Sequence, residues 1–183
     1  MHRQARVILE QFANADGGMA YDELGAILDQ ATKPVPWAYG VWDVLRQGLT
    51  DPDNHKRAIA SRLLCHLALS DPKKRILKDL DALMAVTRDP RFVTARHTVQ
   101  VLWRIGLAGQ KQRHAIVARL VERFADCASE KNATLIRYDI AVGLRSLYDA
   151  TKDARVKQTA LDLIATEPDD RYRKKYAAAW RGA

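Results

Sequence analysis

Cysteine is scarce: Cys65 and Cys127 are the only two in a chain of 183 residues. That is too few for a disulfide framework, and their separation matches no zinc-ligand spacing. Both sit inside helical patterns and read as small buried hydrophobes in a reducing compartment. Long apolar runs are missing as well. No stretch of about eighteen apolar residues occurs, so no membrane span is expected. Met1-His2-Arg3-Gln4 lacks the apolar core of a signal peptide, and the expected location is the cytoplasm. Nine glycines and six prolines are too few for a disordered or fibrous chain. No Gly-x-Gly-x-x-Gly, phosphate-cradling glycine loop or Gly-x-Ser-x-Gly elbow is present, which removes the signatures of nucleotide-cradling and esterase-type sites. His2, His55, His66, His97 and His114 stand at no metal-binding spacing such as His-Glu-x-x-His, so they read as surface or packed residues. No cofactor and no metal are expected.

What remains is ordinary in composition and biased in charge. Hydrophobic residues make up 48% and charged residues 28%, which fits a globular domain with a real core. The net charge is +8, a lean toward an anionic partner.

An octad beginning with arginine recurs along the chain. Arg57, Arg96, Arg137 and Arg173 open the four copies, 39, 41 and 36 residues apart. The fourth place is apolar (Ala60, Val99, Ile140, Tyr176), and the eighth is a large apolar residue (Leu64, Trp103, Leu144, Trp180). Positions three, four and seven apart share one helical face, so each octad predicts a helix with one buried stripe. A second series runs through the intervening segments. Asp43, Asp81, Glu122 and Asp162 each follow an apolar residue (Trp42, Leu80, Val121, Leu161) and precede another by two places (Leu45, Leu83, Phe124, Ile164). Two independent series with a period near 40 predict stacked helix pairs.

Taken in order, residues 3 to 14 and about 20 to 30 form two helices broken at Asp16-Gly17-Gly18. Thr32 to Pro36 is a linker, since each proline disfavours helix in the residue before it. These two helices lack the octad and read as a cap, residues 1–35, on one end of an array spanning 36–183. Helix A1 runs from Trp37 to about Gly48 and B1 from about 53 to 69. A2 starts at Asp71-Pro72 and ends near Val86, and B2 spans roughly 91 to 107. A3 and B3 cover about 111 to 127 and 133 to 149. A4 and B4 cover about 153 to 165 and 170 to 181.

This pattern resembles HEAT-type repeats, in which antiparallel helix pairs of about forty residues carry an aspartate at the turn and an arginine early in the second helix. Asp51 with Arg57 and Asp89 with Arg96 match that arrangement. The third unit departs from it with Asn132, and the fourth offers Asp169 and Asp170 close to Arg173. The resemblance implies an all-α fold, a right-handed superhelix (solenoid) of about four pairs behind the N-terminal helical cap. It says little about activity, because such repeats host many partners.

The octad arginines have two readings. They stack neighbouring units by forking onto turn acids or helix-end carbonyls, or they point into a groove and bind a partner; stacking is favoured. Arg104, Arg145 and Arg181 follow their octads directly, and Arg62 lies nearby on B1. On the B-helix face expected to be concave, they would form a basic ladder for a phosphate backbone or an acidic peptide. The rival reading is arginine flanking a core and snorkelling to water. Trp42, Trp103 and Trp180 fall in core registers, and Trp37 fits neither. A more distant resemblance is to the HEAT-like alkylpurine DNA glycosylases, carried by Asn54-His55-Lys56-Arg57-Ala58-Ile59 and by Asp139 beside Tyr138 as a groove carboxylate. No aromatic precedes Lys56-Arg57, and the chain is shorter than those enzymes. The expected function is therefore a non-catalytic scaffold binding a protein partner, with nucleic-acid binding as the alternative and no catalytic residue assigned.

Overall fold

The structure, a computed structural model, describes residues 1–13 and 19–183, and the expected break at Asp16-Gly17-Gly18 lies outside them. Every regular element among the described residues is helical. In chain order they are α1 (Arg3–Ala13), α2 (Tyr21–Gln30), α3 (Ala38–Gly48), α4 (Asn54–Leu67), α5 (Ile76–Val86), α6 (Phe92–Val99), α7 (Gln110–Asp126), α8 (Ala133–Thr151), α9 (Ala154–Ala165) and α10 (Asp170–Ala178). Short 3₁₀ segments follow α4, α6 and α7.

Aspartates start several of these helices. Asp53, Asp153 and Asp169 accept hydrogen bonds from the amides of His55, Arg155 and Arg171, satisfying donors that the first turn leaves free. Two expected boundaries move. The second pair's first helix begins at Ile76, not at Asp71-Pro72, because Lys74 turns into the left-handed region at φ 55°. Asp71 still caps that helix from a distance: its carboxylate accepts the Ile76 amide at 2.8 Å and the Tyr39 hydroxyl at 2.5 Å. The helix expected over 91–107 instead stops at Val99 and resumes as a 3₁₀ coil over Leu102–Ala108.

Packing follows the two series. The fourth octad places are all buried, as are Leu64, Leu144 and Trp180 at the eighth; Trp103 is only half-buried. Leu45, Leu83, Phe124 and Ile164 are buried on the intervening helices, while the acids beside them are exposed. Each helix from α3 to α10 packs on its hairpin partner, and the even-numbered helices touch in succession from α2 to α10. Helix α1 lies on α3 at close range. A β-carbon on Gly40 would sit 2.8 Å from that of Ala5, and one on Gly48 would sit 2.6 Å from the Phe12 ring. Glycine at these two places is what permits the approach.

Arginine–carboxylate pairs join one hairpin to the next. Arg57 forks onto Asp89 at 2.5 and 3.0 Å while its other nitrogen donates to the carbonyls of Asp51 and Pro52. Arg96 forks onto Asp139 at 2.6 and 2.9 Å, and Gln100 donates to the same carboxylate. Arg137 reaches Glu167 at 2.9 Å and the Phe124 carbonyl at 3.0 Å. The three acids are buried, with side chains 2%, 5% and 3% exposed. The turn acid thus belongs to the arginine of the preceding unit, not to that of its own. Asp139, expected as a groove carboxylate, is instead enclosed between α6 and α8. Arg173, in the last copy, holds the Glu167 carbonyl at 2.6 Å and pairs with Asp170 on its own helix.

Burial alone would raise the Asp89 carboxyl, but the Arg57 fork and the Arg91 amide outweigh it and hold the group below the usual carboxylate range. Its ionised form therefore stabilises the fold above the unfolded carboxylate range, and that contribution is lost as pH falls through the folded value. Arg57→Ala strands a buried carboxylate and should lower stability by about 3 kcal/mol at pH 7 in urea melts. The deficit should shrink as pH falls through the depressed Asp89 value, below which the carboxyl is neutral in both proteins.

Candidate anion-binding surface

Helices α4 and α6 are locked by small hydroxyls. Ser61 and Thr98 share a buried 2.8 Å hydrogen bond, and Thr94 donates to the Asn54 carbonyl at 3.2 Å. Residues next to this seam come out at its rim: Arg62 beside Ser61, and His97 beside Thr98. One turn further along α4, His66 Nδ1 meets the Arg62 carbonyl at 2.8 Å. Arg104, on the 3₁₀ coil after α6, lies over the Trp103 ring at 5.0 Å from its centroid, and Trp103 in turn packs on Gly143 of α8.

Electrostatics show that these groups share one neighbourhood. Burial pulls His66 down to about 4, and the positive charges of Arg104 and Arg62 push the same way. His97 is lowered by burial, then by Arg62 and Arg96. Burial also pulls the Arg104 guanidinium below the usual arginine range, and Asp29 at the end of α2 is the carboxylate that acts against this. The Cys65 thiol is pushed up by burial and stays neutral. Arg104 forms no ion pair among the described residues. A half-buried cation that stays charged and lacks a contacting acid leaves a positive potential at the surface.

The other two members of the arginine series are placed differently. Arg145 donates to Asp149 at 2.7 Å and to the carbonyls of Ala179 and Arg181 at 3.1 and 3.2 Å, holding the last turn of the chain while lying over Trp180. Arg181 is exposed beyond it. Arg62 and Arg104 are thus brought together, and Arg145 is occupied by carbonyls that sequence spacing cannot reveal. His66 and His97 were passed over in the sequence; the signal available was their position, four residues after Arg62 and one after Arg96. Trp37 and Trp42 lie in the core, Trp42 donating to Asp79 at 2.9 Å, and Trp180 donates to the Ala141 carbonyl. Trp103 is the one tryptophan that is only half-buried. No group of three or more histidines, cysteines or acids able to hold a metal occurs among the described residues, and none of their helices is long and apolar enough to cross a membrane.

No protein-family model matches this chain. No curated protein matches it either. Solved structures do. One engineered protein from the Northeast Structural Genomics Consortium aligns over 97% of this chain and 78% of its own, with a TM-score of 0.56 and 17% identity. A second engineered protein from the same consortium aligns over 97% of this chain and 57% of its own, with a TM-score of 0.53 and 14% identity. At these identities the likeness concerns the fold alone: the chain is a helical protein whose structural neighbours are engineered.

A histidine whose folded value is depressed contributes stability that is full above the unfolded value near 6.5 and lost as pH falls toward 4. Wild-type stability should therefore decline by roughly 3 kcal/mol between pH 7 and pH 4 on this account. His66→Gln should flatten that slope in pH-dependent urea melts.

Proposed function

We propose that the chain is a HEAT-like scaffold, a solenoid of helix pairs that catalyses nothing and binds an acidic protein segment on its even-helix face. The succession of contacts among the even-numbered helices supports the stacked arrangement, and buried thiols suit a cytoplasmic setting. The octad arginines serve as stacking groups in this reading, since Arg57 and Arg96 are already forked onto acids of the next unit and Arg137 is held by Glu167 and the Phe124 carbonyl. The observation that carries the binding proposal is Arg104, half-buried over Trp103 near Arg62 and two histidines, a guanidinium that itself makes no ion pair among the described residues. An incoming glutamate or aspartate would supply the charge that the fold withholds, in a site already partly dehydrated, where charge-assisted hydrogen bonds are strongest.

Nucleic acid is the second reading, favoured by the half-buried Trp103 beside a cation, a combination that suits base stacking. Salt separates the two. Binding to a phosphate backbone should weaken steeply and linearly on a log–log plot against salt, while an acidic peptide with few contacts should give a shallow slope. Isothermal titration of a glutamate-rich peptide and of a DNA duplex from 50 to 200 mM salt measures both. On the preferred reading the peptide binds and the duplex does not compete. Arg62→Ala and Arg104→Ala should each weaken peptide binding about tenfold while leaving helicity unchanged. Arg145→Ala should leave binding nearly intact and instead lower stability by about 1 kcal/mol, because it removes hydrogen bonds to the last carbonyls.

A further inference from the structure

The odd-numbered helices carry a row of ion pairs along their exposed side, and the row has a gap. Asp43 of α3 pairs with Arg75 at the start of α5, and Asp81 of α5 pairs with Arg119 of α7. The next acid in register is Glu122 on α7. Arg75 stands six places before Asp81 and Arg119 three places before Glu122; the corresponding places before Asp162 on α9 are Val156 and Thr159, both uncharged and too short to bridge. Glu122 keeps only Arg119 at 3.1 Å, on its own helix and already shared with Asp81, and its side chain is 60% exposed. Asp162 is occupied within α9 by Gln158. The α7–α9 step retains one bridge, Arg113 to Asp153, near the start of both helices.

A cleft of about 590 Å³ opens where the bridge is missing. Its walls are aliphatic, with Val117, Val121 and Val156; Glu122 lies at one end, and at the other lie His114 and Arg155 beside Asp153, whose charge is already matched by Arg113. From Arg113 to Glu122 the lining of α7 covers about 13 Å at the helical rise. That is the length of about four extended residues.

We propose that this cleft docks a peptide segment of a partner protein, with an arginine or lysine on Glu122, an aliphatic side chain among the three valines, and an acid toward His114 and Arg155. Charge complementarity selects both the occupant and its direction. The cation takes the place that an arginine at position 159 of α9 would fill, as Arg119 of α7 does for Asp81. A reversed segment would set its acid against Glu122, and a nucleic-acid strand would set phosphates there. The proposal is independent of the even-helix face.

Selection of a phage-displayed random dodecapeptide library on the full-length chain, with soluble Glu122→Arg protein as competitor, tests it. Enriched peptides should carry a cation, an aliphatic residue and an acid within about five positions, the span the cleft accommodates. Synthetic copies should bind wild type at least about tenfold more tightly than Glu122→Arg, with Glu122→Gln between them. Thr159→Arg should close the gap itself, abolishing peptide binding while leaving the melting temperature unchanged or raised by ~1–3 °C. Because that variant keeps the fold, loss of binding cannot be ascribed to unfolding. Failure to enrich any peptide, enrichment of peptides lacking a cation, or equal binding to wild type and Thr159→Arg would overturn the proposal.

Discussion

The structure depends on arginine forks that cross from one helical hairpin to the next. A single hairpin has an apolar stripe it cannot bury alone, and burial against a neighbour is directionless along the stripe. Arg57 with Asp89, Arg96 with Asp139 and Arg137 with Glu167 supply the direction, since a planar guanidinium meets a carboxylate well only in one register. Such pairs add little net stability compared with a well-packed apolar contact, because dehydrating both charges offsets much of their attraction. Their role here is to make misregistered stacking expensive: an inner hairpin slipped by one turn would leave two buried carboxylates without a partner.

The same requirement explains how far the sequence could be read. Helix positions and core rows were legible because burial imposes a period on side-chain type, and the fourth octad places are all buried as that period demands. The destinations of the arginines were less legible. The motif pairs Asp89 with Arg96 in one unit, whereas the fold hands Asp89 to Arg57, thirty-two residues earlier. A linear pattern records which residues belong to a turn but not which neighbour's turn lies alongside. Local breaks were also hidden. No glycine or proline stands between Val99 and Leu102, where the helix type changes, and Lys74 carries no side-chain signature of its left-handed backbone.

Much of the candidate surface was legible only as a list of basic residues. Equivalent places in the repeat gave Arg104, Arg145 and Arg181 one description, and the fold gives them different environments. Arg145 closes the end of the chain against backbone carbonyls, while Arg104 stands half-buried over an indole with Asp29 as the carboxylate that acts on it. The histidines that complete that surface carry no motif. Their altered proton affinities come from burial and from cations on other turns and helices, neither of which leaves a mark on spacing.

The coil after α6 explains why Trp103 differs from its counterparts. A 3₁₀ segment advances about 120° per residue where an α-helix advances about 100°. Side chains beyond Val99 therefore leave the azimuth that Leu64, Leu144 and Trp180 keep, and the indole and the neighbouring guanidinium rotate out of the interior together. Backbone pitch, more than side-chain identity, determines which tryptophan meets solvent. A stack of helices can thus acquire a distinct surface feature by rewinding two turns of one of them.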